Sequence, residues 1–318
     1  MNFENLKPSI ESIKQSGRVA VLMGGTSAER EISLMSGNAV YKALINEGVD
    51  AFKLDVKDNV IDKLQKLKAD RVFNILHGRS GEDGKLQAVM DLLGISYTGS
   101  DVSASALAMN KLLTKRVLRG SGLPTPEFQV INSAEDCKKL LEELGLPVFV
   151  KPNLEGSSIG ITAVTKAEEL ISAWKKARQF GEVFAERYII GSEYSAGFLG
   201  DQILPLIKIE TTREFYDYEA KYFSDDTIYT CPCGLNEKIT SIINKLVAET
   251  IKVTGVKNWG RVDIMLDQDA QPFIIEINTV PGMTDHSLVP MAAKQVGLNM
   301  SELVLKILEL SLKGENIV

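Results

Sequence analysis

The sequence lacks most of the features that mark secreted, membrane-spanning or nucleic-acid-binding proteins. Its 318 residues contain three cysteines, and 36 lysines and arginines are outnumbered by 42 aspartates and glutamates, for a net charge of -6. Three widely placed cysteines give no disulfide framework, and a nucleic-acid-binding protein would show a basic excess. No apolar run reaches the length of a membrane span, and the first 17 residues lack the apolar core of a secretory signal. We therefore expect a cytoplasmic protein with no nucleic-acid or membrane partner.

Two common nucleotide-binding motifs are also absent. The apolar run from Arg18 ends at Gly24-Gly25, but no GxGxxG follows, and the chain contains no GxxxxGK[ST]. A two-thiol metal site at Cys231 and Cys233 would need further ligands nearby, so ordinary reduced thiols are the favoured interpretation. Nucleotide binding, if present, must use a different arrangement of residues.

The N-terminal part alternates predicted strands and helices, which is typical of a parallel sheet wound with helices. Glu29 lies where a carboxylate can cap the following helix or bind an amine, and capping is the favoured interpretation. His77 begins a glycine-rich loop, residues 77–84, at the end of a predicted strand, where ligands of such sheets usually bind. A structural histidine and a functional one are equally compatible with this position.

The central part carries two lysines and a loop of small residues. Lys111 lies in a predicted helix, residues 104–119, and Lys151 ends a predicted strand. The loop 155–160 (EGSSIG) could wrap phosphate oxygens with its amides and hydroxyls, or it could be a flexible hairpin tip. The run 182–199 then predicts strand, connector and strand, with Glu186 and Glu193 around an apolar connector. Such a connector is a usual purine site, and a surface hairpin is the alternative.

Residues 259–278 predict a hairpin with a polar turn at 268–271. This register sets Asp263 opposite Glu276 and Arg261 opposite Asn278, all on one face. The expected opposite face carries Val262, Phe273, Ile275 and Ile277. Two carboxylates facing each other repel unless a cation lies between them. Oxygen ligands suit magnesium or manganese better than zinc; a solvated polar face is the alternative.

Five segments, taken together and in this order, resemble the D-alanine:D-alanine ligase family of the ATP-grasp superfamily. They are VLMGGTSAEREISLMSG, LHGRSGEDG, VKPNLEGSSIG, FYDYEAKY with the long loop after it, and GRVDIML with EINTVPGMTDHSLVP. The resemblance covers nearly the whole chain from Arg18, and five ordered motifs are far more specific than any one alone.

The resemblance implies an α/β fold in which an N-terminal parallel α/β domain is followed by a two-part ATP-grasp fold. The implied domains are residues 1–100, which would bind substrate, residues 101–190, and residues 191–318, which would hold the metal and catalytic site. The implied activity is ATP-dependent formation of D-alanyl-D-alanine through an acyl phosphate, for peptidoglycan synthesis. A carboxylate-amine ligase acting on other amino acids is the alternative, and a homodimer is the expected assembly.

The resemblance also assigns roles to individual residues. Two Mg²⁺ (or Mn²⁺) ions would be held by Asp263, Glu276 and Asn278. ATP would contact Lys111, Lys151, Ser158, Glu186, Tyr188, Ile189, Glu193, Phe215 and Met265. The first D-alanine would place its ammonium on Glu29 and its carboxylate near His77. The second D-alanine would place its carboxylate on Ser287 and the Leu288 amide. Arg261 and the Gly282 amide would bind the tetrahedral oxyanion, and Lys221 would contact the transferred phosphate. A lid would be held closed by hydrogen bonds among Ser157, Tyr222 and Glu29.

Three positions depart from the usual family pattern. The segment NTVPGM often reads NTSPGM or NTLPGF in relatives, so Val280 replaces the polar version, and it receives no role. Arg187 stands where lysine or valine is common, which puts its adenine contact in doubt, and Asp285 adds a charge near the second-substrate site. Tyr222, with its hydroxyl, favours an amine over a hydroxy acid as the second substrate.

Overall fold

The structure is a computed structural model that describes residues 3–9, 16–57, 59–211 and 227–312. Its N-terminal sheet has the order β2-β1-β3-β4, and every pairing is parallel. The strands are β1 (Val19–Met23), β2 (Ala51–Asp55), β3 (Arg71–Asn74) and β4 (Ser96–Tyr97), and the helices between them are α1 (Arg30–Asn46), α2 (Val60–Leu67) and α3 (Lys85–Leu93). Every residue of β1 and β3 is buried, as expected for a parallel sheet covered on both faces. The predicted N-terminal α/β architecture is confirmed.

The central sheet is antiparallel and has the order β5-β8-β6-β7. Its apolar face packs against two amphipathic helices, and Ser133 with Asp136 forms a capping box at the start of the first. The elements are β5 (Phe128–Ile131), α6 (Ala134–Glu143), β6 (Val148–Pro152), β7 (Thr162–Val164), α7 (Leu170–Ala177) and β8 (Val183–Arg187), with single 3₁₀ turns at Ala167–Glu169 and Arg178–Phe180.

The third sheet has the order β12-β11-β9-β13-β14, with β10 paired to β9. Strands β8 and β9 belong to different sheets, so residues 188–190 form the predicted connector between two sheets. The elements are β9 (Gly191–Leu199), β10 (Gln202–Ile203), β11 (Ile207–Glu210), β12 (Ile228–Thr230), α8 (Glu237–Thr254), β13 (Trp259–Asp267), β14 (Pro272–Asn278), α9 (Leu288–Gln295) and α10 (Met300–Leu312).

The single helix predicted over residues 104–119 is wrong, because the structure has two helices there. They are α4 (Val102–Met109) and α5 (Lys111–Gly120), separated by Asn110 in an extended conformation. The Asn110 side chain accepts a hydrogen bond from the Leu113 amide at 3.0 Å, which is the geometry of a helix N-cap. Lys111 therefore begins a new helix.

The predicted hairpin register is confirmed for the four polar residues and is shifted by one residue beyond them. Asp263 lies opposite Glu276 and Arg261 opposite Asn278, as predicted, but beyond Asp263 the partner of Ile264 is Ile274. Ile275 is therefore a β-bulge residue, and a bulge reverses the alternation of faces. As a result Ile274 is buried in the core, while Phe273 and Ile275, which were predicted to share the apolar face with Val262 and Ile277, are only partly buried.

The core of the N-terminal sheet is completed by the C-terminal end of the chain. Val19 and Phe73 belong to one buried cluster with Leu303 and Ile307 of α10. Near the N-terminus, the described residues 3–9 contain a single 3₁₀ turn, Glu4–Leu6, whose Leu6 is buried in the same cluster. Within the described ranges, no helix is both long and apolar enough to cross a bilayer.

Candidate functional site

Two cavities meet between the three sheets. The larger, of about 390 Å³, lies between the central and third sheets, and the smaller, of about 50 Å³, lies between the N-terminal loops and the end of β14. Lys111 and Glu276 line both of them. Groups bound in the two cavities would therefore face each other across these two side chains.

A buried cluster of charges forms one wall of the larger cavity. The carboxylate of Glu186 pairs with the amine of Lys115 at 2.5 Å and also with the amine of Lys151. Burial alone would raise the pKa of Glu186, but the charges of the two lysines outweigh it, so the pKa is lowered and the carboxylate stays ionised. Lys115 also donates to the Thr125 hydroxyl at 2.8 Å. Both predicted residues, Lys151 and Glu186, are thus held in fixed positions.

Lys115 received no role from the sequence, although it is only 1% exposed. It lies four residues after Lys111 in α5, and that spacing places two side chains on one face of a helix. The pattern was present in the sequence, but a lysine in an otherwise amphipathic helix is usually a solvent-exposed residue.

Several apolar side chains also line the larger cavity. Tyr188 stacks on Phe149 with ring centroids 4.7 Å apart, and Ile189 follows it in the connector. Met265 faces the cavity next to Glu193, its partner across the β13–β9 pairing, and the bulge residue Ile275 lies beside them. Such a slot has the shape and chemistry for a planar base with a carboxylate near its sugar. The exposed Arg187 also lines it, and its guanidinium pairs with Glu127 at 2.7 Å.

The small-residue loop between β6 and β7 separates the cavities. Ser157 and Ser158 both have left-handed backbone conformations, with φ of 49° and 60°. Ser158 lines the larger cavity and Ser157 the smaller one. The amine of Lys111 donates to the Glu155 carbonyl at 2.8 Å, which ties the loop to the start of α5. Two adjacent serines therefore line different cavities.

The predicted carboxylate pair lies where the cavities join. Both oxygens of Asp263 accept hydrogen bonds from Arg261 at 2.8 Å, and one also accepts from the Asn278 amide at 2.9 Å. Glu276 lies 3.4 Å from the amine of Lys111. The two carboxylates and the Asn278 carbonyl offer only oxygen ligands, so this set fits Mg²⁺ or Mn²⁺. Across the described ranges, no cluster of three or more His, Cys, Asp or Glu side chains is arranged to hold a metal.

Glu29 lies at the far end of the smaller cavity. Its side chain makes no capping hydrogen bond to α1, so the favoured capping interpretation is wrong. Its carboxylate instead accepts a hydrogen bond from the Ser157 hydroxyl, as predicted for that pair. A Cβ at Gly78 or Gly156 would come within 2.7 or 2.9 Å of a Glu29 oxygen, so a side chain at either position would displace this carboxylate. A buried carboxylate in this pocket suits an ammonium group.

His77 and Glu82 line the same small cavity as Glu29. His77 is buried, and its Nδ1 lies 2.8 Å from the Val280 carbonyl oxygen. Burial lowers the pKa of His77, which keeps the ring neutral near pH 7. Glu82 received no role from the sequence; its carboxylate accepts from the Gly78 amide at 2.6 Å and from the Val280 amide at 3.2 Å. The pKa of Glu82 is raised to about 8, mainly by burial and then by the nearby charge of Glu29.

The turn after β14 brings Gly282 to the cavity but keeps Ser287 and Leu288 outside its lining. A Cβ at Gly282 would lie 2.8 Å from the Ser287 hydroxyl oxygen, so the two residues are neighbours. Leu288 is the first residue of α9, and its amide therefore belongs to the open first turn of that helix. Its side chain is buried in the core.

Three predicted site residues, Phe215, Lys221 and Tyr222, lie outside the described residues, as does most of the proposed lid. Of the departures from the family pattern, Val280 has its side chain buried in the core. Cys231 is half-buried and Cys233 buried, and both are free thiols.

Comparisons with known proteins agree with this architecture. Two family models match: "D-ala D-ala ligase N-terminus" at residues 53–100 and "D-ala D-ala ligase C-terminus" at residues 117–309. A D-alanine--D-alanine ligase of Methylococcus capsulatus is 51% identical over 96% of this chain and 99% of its own length. The structure of a Bacillus anthracis D-alanine--D-alanine ligase complexed with ATP superposes with a TM-score of 0.81 at 32% identity, over 93% of this chain and 98% of that one. A D-Ala:D-Ser ligase of Enterococcus faecalis superposes with a TM-score of 0.81 at 27% identity, over 93% and 99%.

Proposed function

Because this chain belongs to the D-alanine–D-alanine ligase family, we propose that it joins two D-alanine molecules into D-alanyl-D-alanine while ATP becomes ADP and phosphate. The observation that carries the proposal is the meeting of the two cavities at Lys111 and Glu276. One cavity has the shape of a nucleotide site, and the other ends at a buried carboxylate suited to an amino acid.

In the proposed nucleotide site, adenine lies in the apolar slot between the central and third sheets. Glu186 faces its polar edge, and Glu193 lies beside the ribose. The phosphates extend toward Lys111, Lys151 and Ser158, where the two amines and the loop offset their charge. Asp263, Glu276 and Asn278 would hold the two Mg²⁺ ions. When bound, these ions supply charge neutralisation for phosphoryl transfer.

In the proposed first half-reaction, the first D-alanine places its ammonium on Glu29 and its carboxylate near His77. An oxygen of that carboxylate attacks the terminal phosphorus of ATP, ADP leaves, and an acyl phosphate forms. The buried environment of Glu29 and His77 excludes water, which would otherwise hydrolyse this intermediate.

In the proposed second half-reaction, Ser287 and the Leu288 amide hold the carboxylate of the second D-alanine. Its amine attacks the acyl carbon, and phosphate leaves when the tetrahedral intermediate collapses. Arg261 and the Gly282 amide face the developing oxyanion; such donors are among the largest contributions to catalysis. Lys221 and Tyr222 keep their predicted roles at the phosphate and in the lid. A homodimer and a cytoplasmic location remain predictions.

Product analysis tests the proposal directly. The protein is incubated with ATP, Mg²⁺ and D-alanine, and dipeptide and phosphate are measured in the same sample. We expect equal amounts of both, and no phosphate release with L-alanine. Dipeptides formed only from other amino acids, such as D-serine, would favour the alternative carboxylate-amine ligase. Nucleotide binding without turnover on any amino acid would contradict both.

A further inference from the structure

The turn that carries Gly282 is held at three backbone groups by the N-terminal part of the chain. His77 Nδ1 binds the Val280 carbonyl at 2.8 Å, and the Val280 amide donates to Glu82 at 3.2 Å. The Met283 amide donates to the hydroxyl of Ser36, in α1, at 3.1 Å. These contacts join segments about two hundred residues apart in the sequence.

The three contacts leave little freedom to the Gly282 amide. The carbonyl of Val280 belongs to the peptide plane before Pro281, and the amide of Met283 belongs to the plane after Gly282. Both flanking planes are therefore fixed, and only the plane that contains the Gly282 N–H lies between them. Proline has a restricted φ, which limits this plane further. The direction of the Gly282 N–H is thus determined by contacts with residues far away in the sequence.

His77 and Ser36 also contact each other, and Glu82 bonds the backbone next to His77. His77 Nε2 lies 3.4 Å from the Ser36 hydroxyl, and Glu82 accepts the amide of Gly78, next to His77. Because a carbonyl can only accept, Nδ1 of His77 carries the proton, and the neutral Nε2 faces the serine. Ser36 is fully buried. The three residues are thus linked to one another as well as to the turn, Ser36 to His77 directly and Glu82 to His77 through the Gly78 amide.

Resting on the proposed function, we propose that Ser36, His77 and Glu82 are positioning residues that hold the Gly282 amide toward the tetrahedral intermediate. The part of the chain that binds the first D-alanine through Glu29 thereby also sets the oxyanion donor for the second half-reaction. This explains why a departure from the family pattern is tolerated at position 280: only the backbone of Val280 takes part, and its side chain is core.

Ser36→Ala and Glu82→Gln test this role. Ser36→Ala removes the hydroxyl that accepts the Met283 amide. Glu82→Gln places an NH₂ group against either the Gly78 amide or the Val280 amide, both of which donate to Glu82 in the wild type. In each variant we expect dipeptide formation to fall about tenfold, because a small misplacement of a catalytic donor is costly. Acyl phosphate still forms and is lost to water, so dipeptide formed per phosphate released falls below the wild-type value. The ATP concentration for half-maximal phosphate release stays unchanged.

Ser33→Ala is the matched control. Ser33 is equally buried in the same helix, and its hydroxyl bonds the Gly24 amide and the Ile75 carbonyl instead of the turn. We expect it to keep the wild-type ratio of dipeptide to phosphate, even if its thermal stability falls. A wild-type ratio in both test variants, or an equal loss in Ser33→Ala, would overturn the positioning role. Failure of the wild-type protein to form dipeptide would instead refute the proposed function.

Discussion

The amine of Lys111 lies 3.4 Å from the carboxylate of Glu276, and these two side chains are shared by both cavities. A cation thus neutralises Glu276 at the place proposed for phosphoryl transfer. Asp263, opposite Glu276, is neutralised in the same way by Arg261. The repulsion expected between facing carboxylates is therefore offset by two side chains of the protein itself.

Glu276→Gln should raise the requirement for Mg²⁺. The amide has one oxygen ligand and no charge, so we expect the Mg²⁺ concentration for half-maximal phosphate release to rise about tenfold or more. Glu249→Gln, at an exposed residue paired with Lys252, is the control and should titrate as the wild type. An unchanged titration for Glu276→Gln would exclude it as a metal ligand.

Arg261→Ala should abolish turnover while ATP still binds. The guanidinium is proposed to face the oxyanion, and removal of such a donor lowers the rate about a hundredfold or more. Calorimetry with a non-hydrolysable ATP analogue should give a similar affinity in both proteins. Arg116→Ala, at an exposed residue of α5, should keep full activity. Normal turnover in Arg261→Ala would refute its assigned role.

Lys115→Met should weaken both ATP binding and folding. It removes one partner of the buried Glu186, and breaking a buried ion pair costs about 3–5 kcal/mol. We expect a lower thermal midpoint and a KM for ATP raised about tenfold, with the response to D-alanine unchanged. The exposed Lys138→Met provides the control. If ATP kinetics stay the same, Lys115 has only a structural role.

Glu29→Gln should weaken binding of the first D-alanine. A hydrogen bond to a charged group contributes about 1.5–3 kcal/mol, so we expect the half-saturating D-alanine concentration to rise about tenfold to a hundredfold. The KM for ATP should stay the same. Glu31→Gln, at an exposed position in α1, controls for the loss of a charge near the helix start. Equal effects in the two variants would argue for a general electrostatic role.

Glu82 should make the folded state less stable as the pH rises. Its pKa is raised from 4.5 to about 8 in the folded protein, mainly by burial and then by Glu29, with Lys111 and two backbone amides opposing. Its stabilising contribution is therefore present below about pH 4.5 and is lost as the pH rises through about 8. Urea unfolding at about pH 5 and about pH 9 should show a larger loss of stability in the wild type than in Glu82→Gln. Equal losses would contradict the raised pKa.

The lowered pKa of His77 has the opposite effect on the pH dependence of folding stability. A histidine buried in its neutral form contributes stability above its unfolded pKa, which is lost as the pH falls below about 6.5. Glu29 and Arg261 are its charged neighbours and oppose each other. This contribution is common to the wild type and Glu82→Gln, so it cancels when the two proteins are compared.

The sequence determined the elements whose signals are local. The parallel N-terminal sheet, the capping box at Ser133, the pairing of Asp263 with Glu276 and the connector between two sheets all follow from apolar periodicity and turn residues close together in the chain. The five motifs together also indicated the family. Each of these depends on residues within about twenty positions of one another or on a fixed order of short segments.

Only the tertiary structure decided the features that depend on burial and on contacts between distant parts of the chain. The residues around Glu29 favoured a helix cap, and only the family resemblance paired it with Ser157; the structure decided between the two, because a carboxylate at a helix start gives no local sign of a partner more than a hundred residues away. The break at Asn110 depends on the cap it forms, and the bulge at Ile275 on two strands meeting out of step. Lys115, Ser36 and Glu82 gain their roles because folding buries them against groups that they must bond. Burial and long-range pairing are properties of the packed chain, and no local pattern contains them.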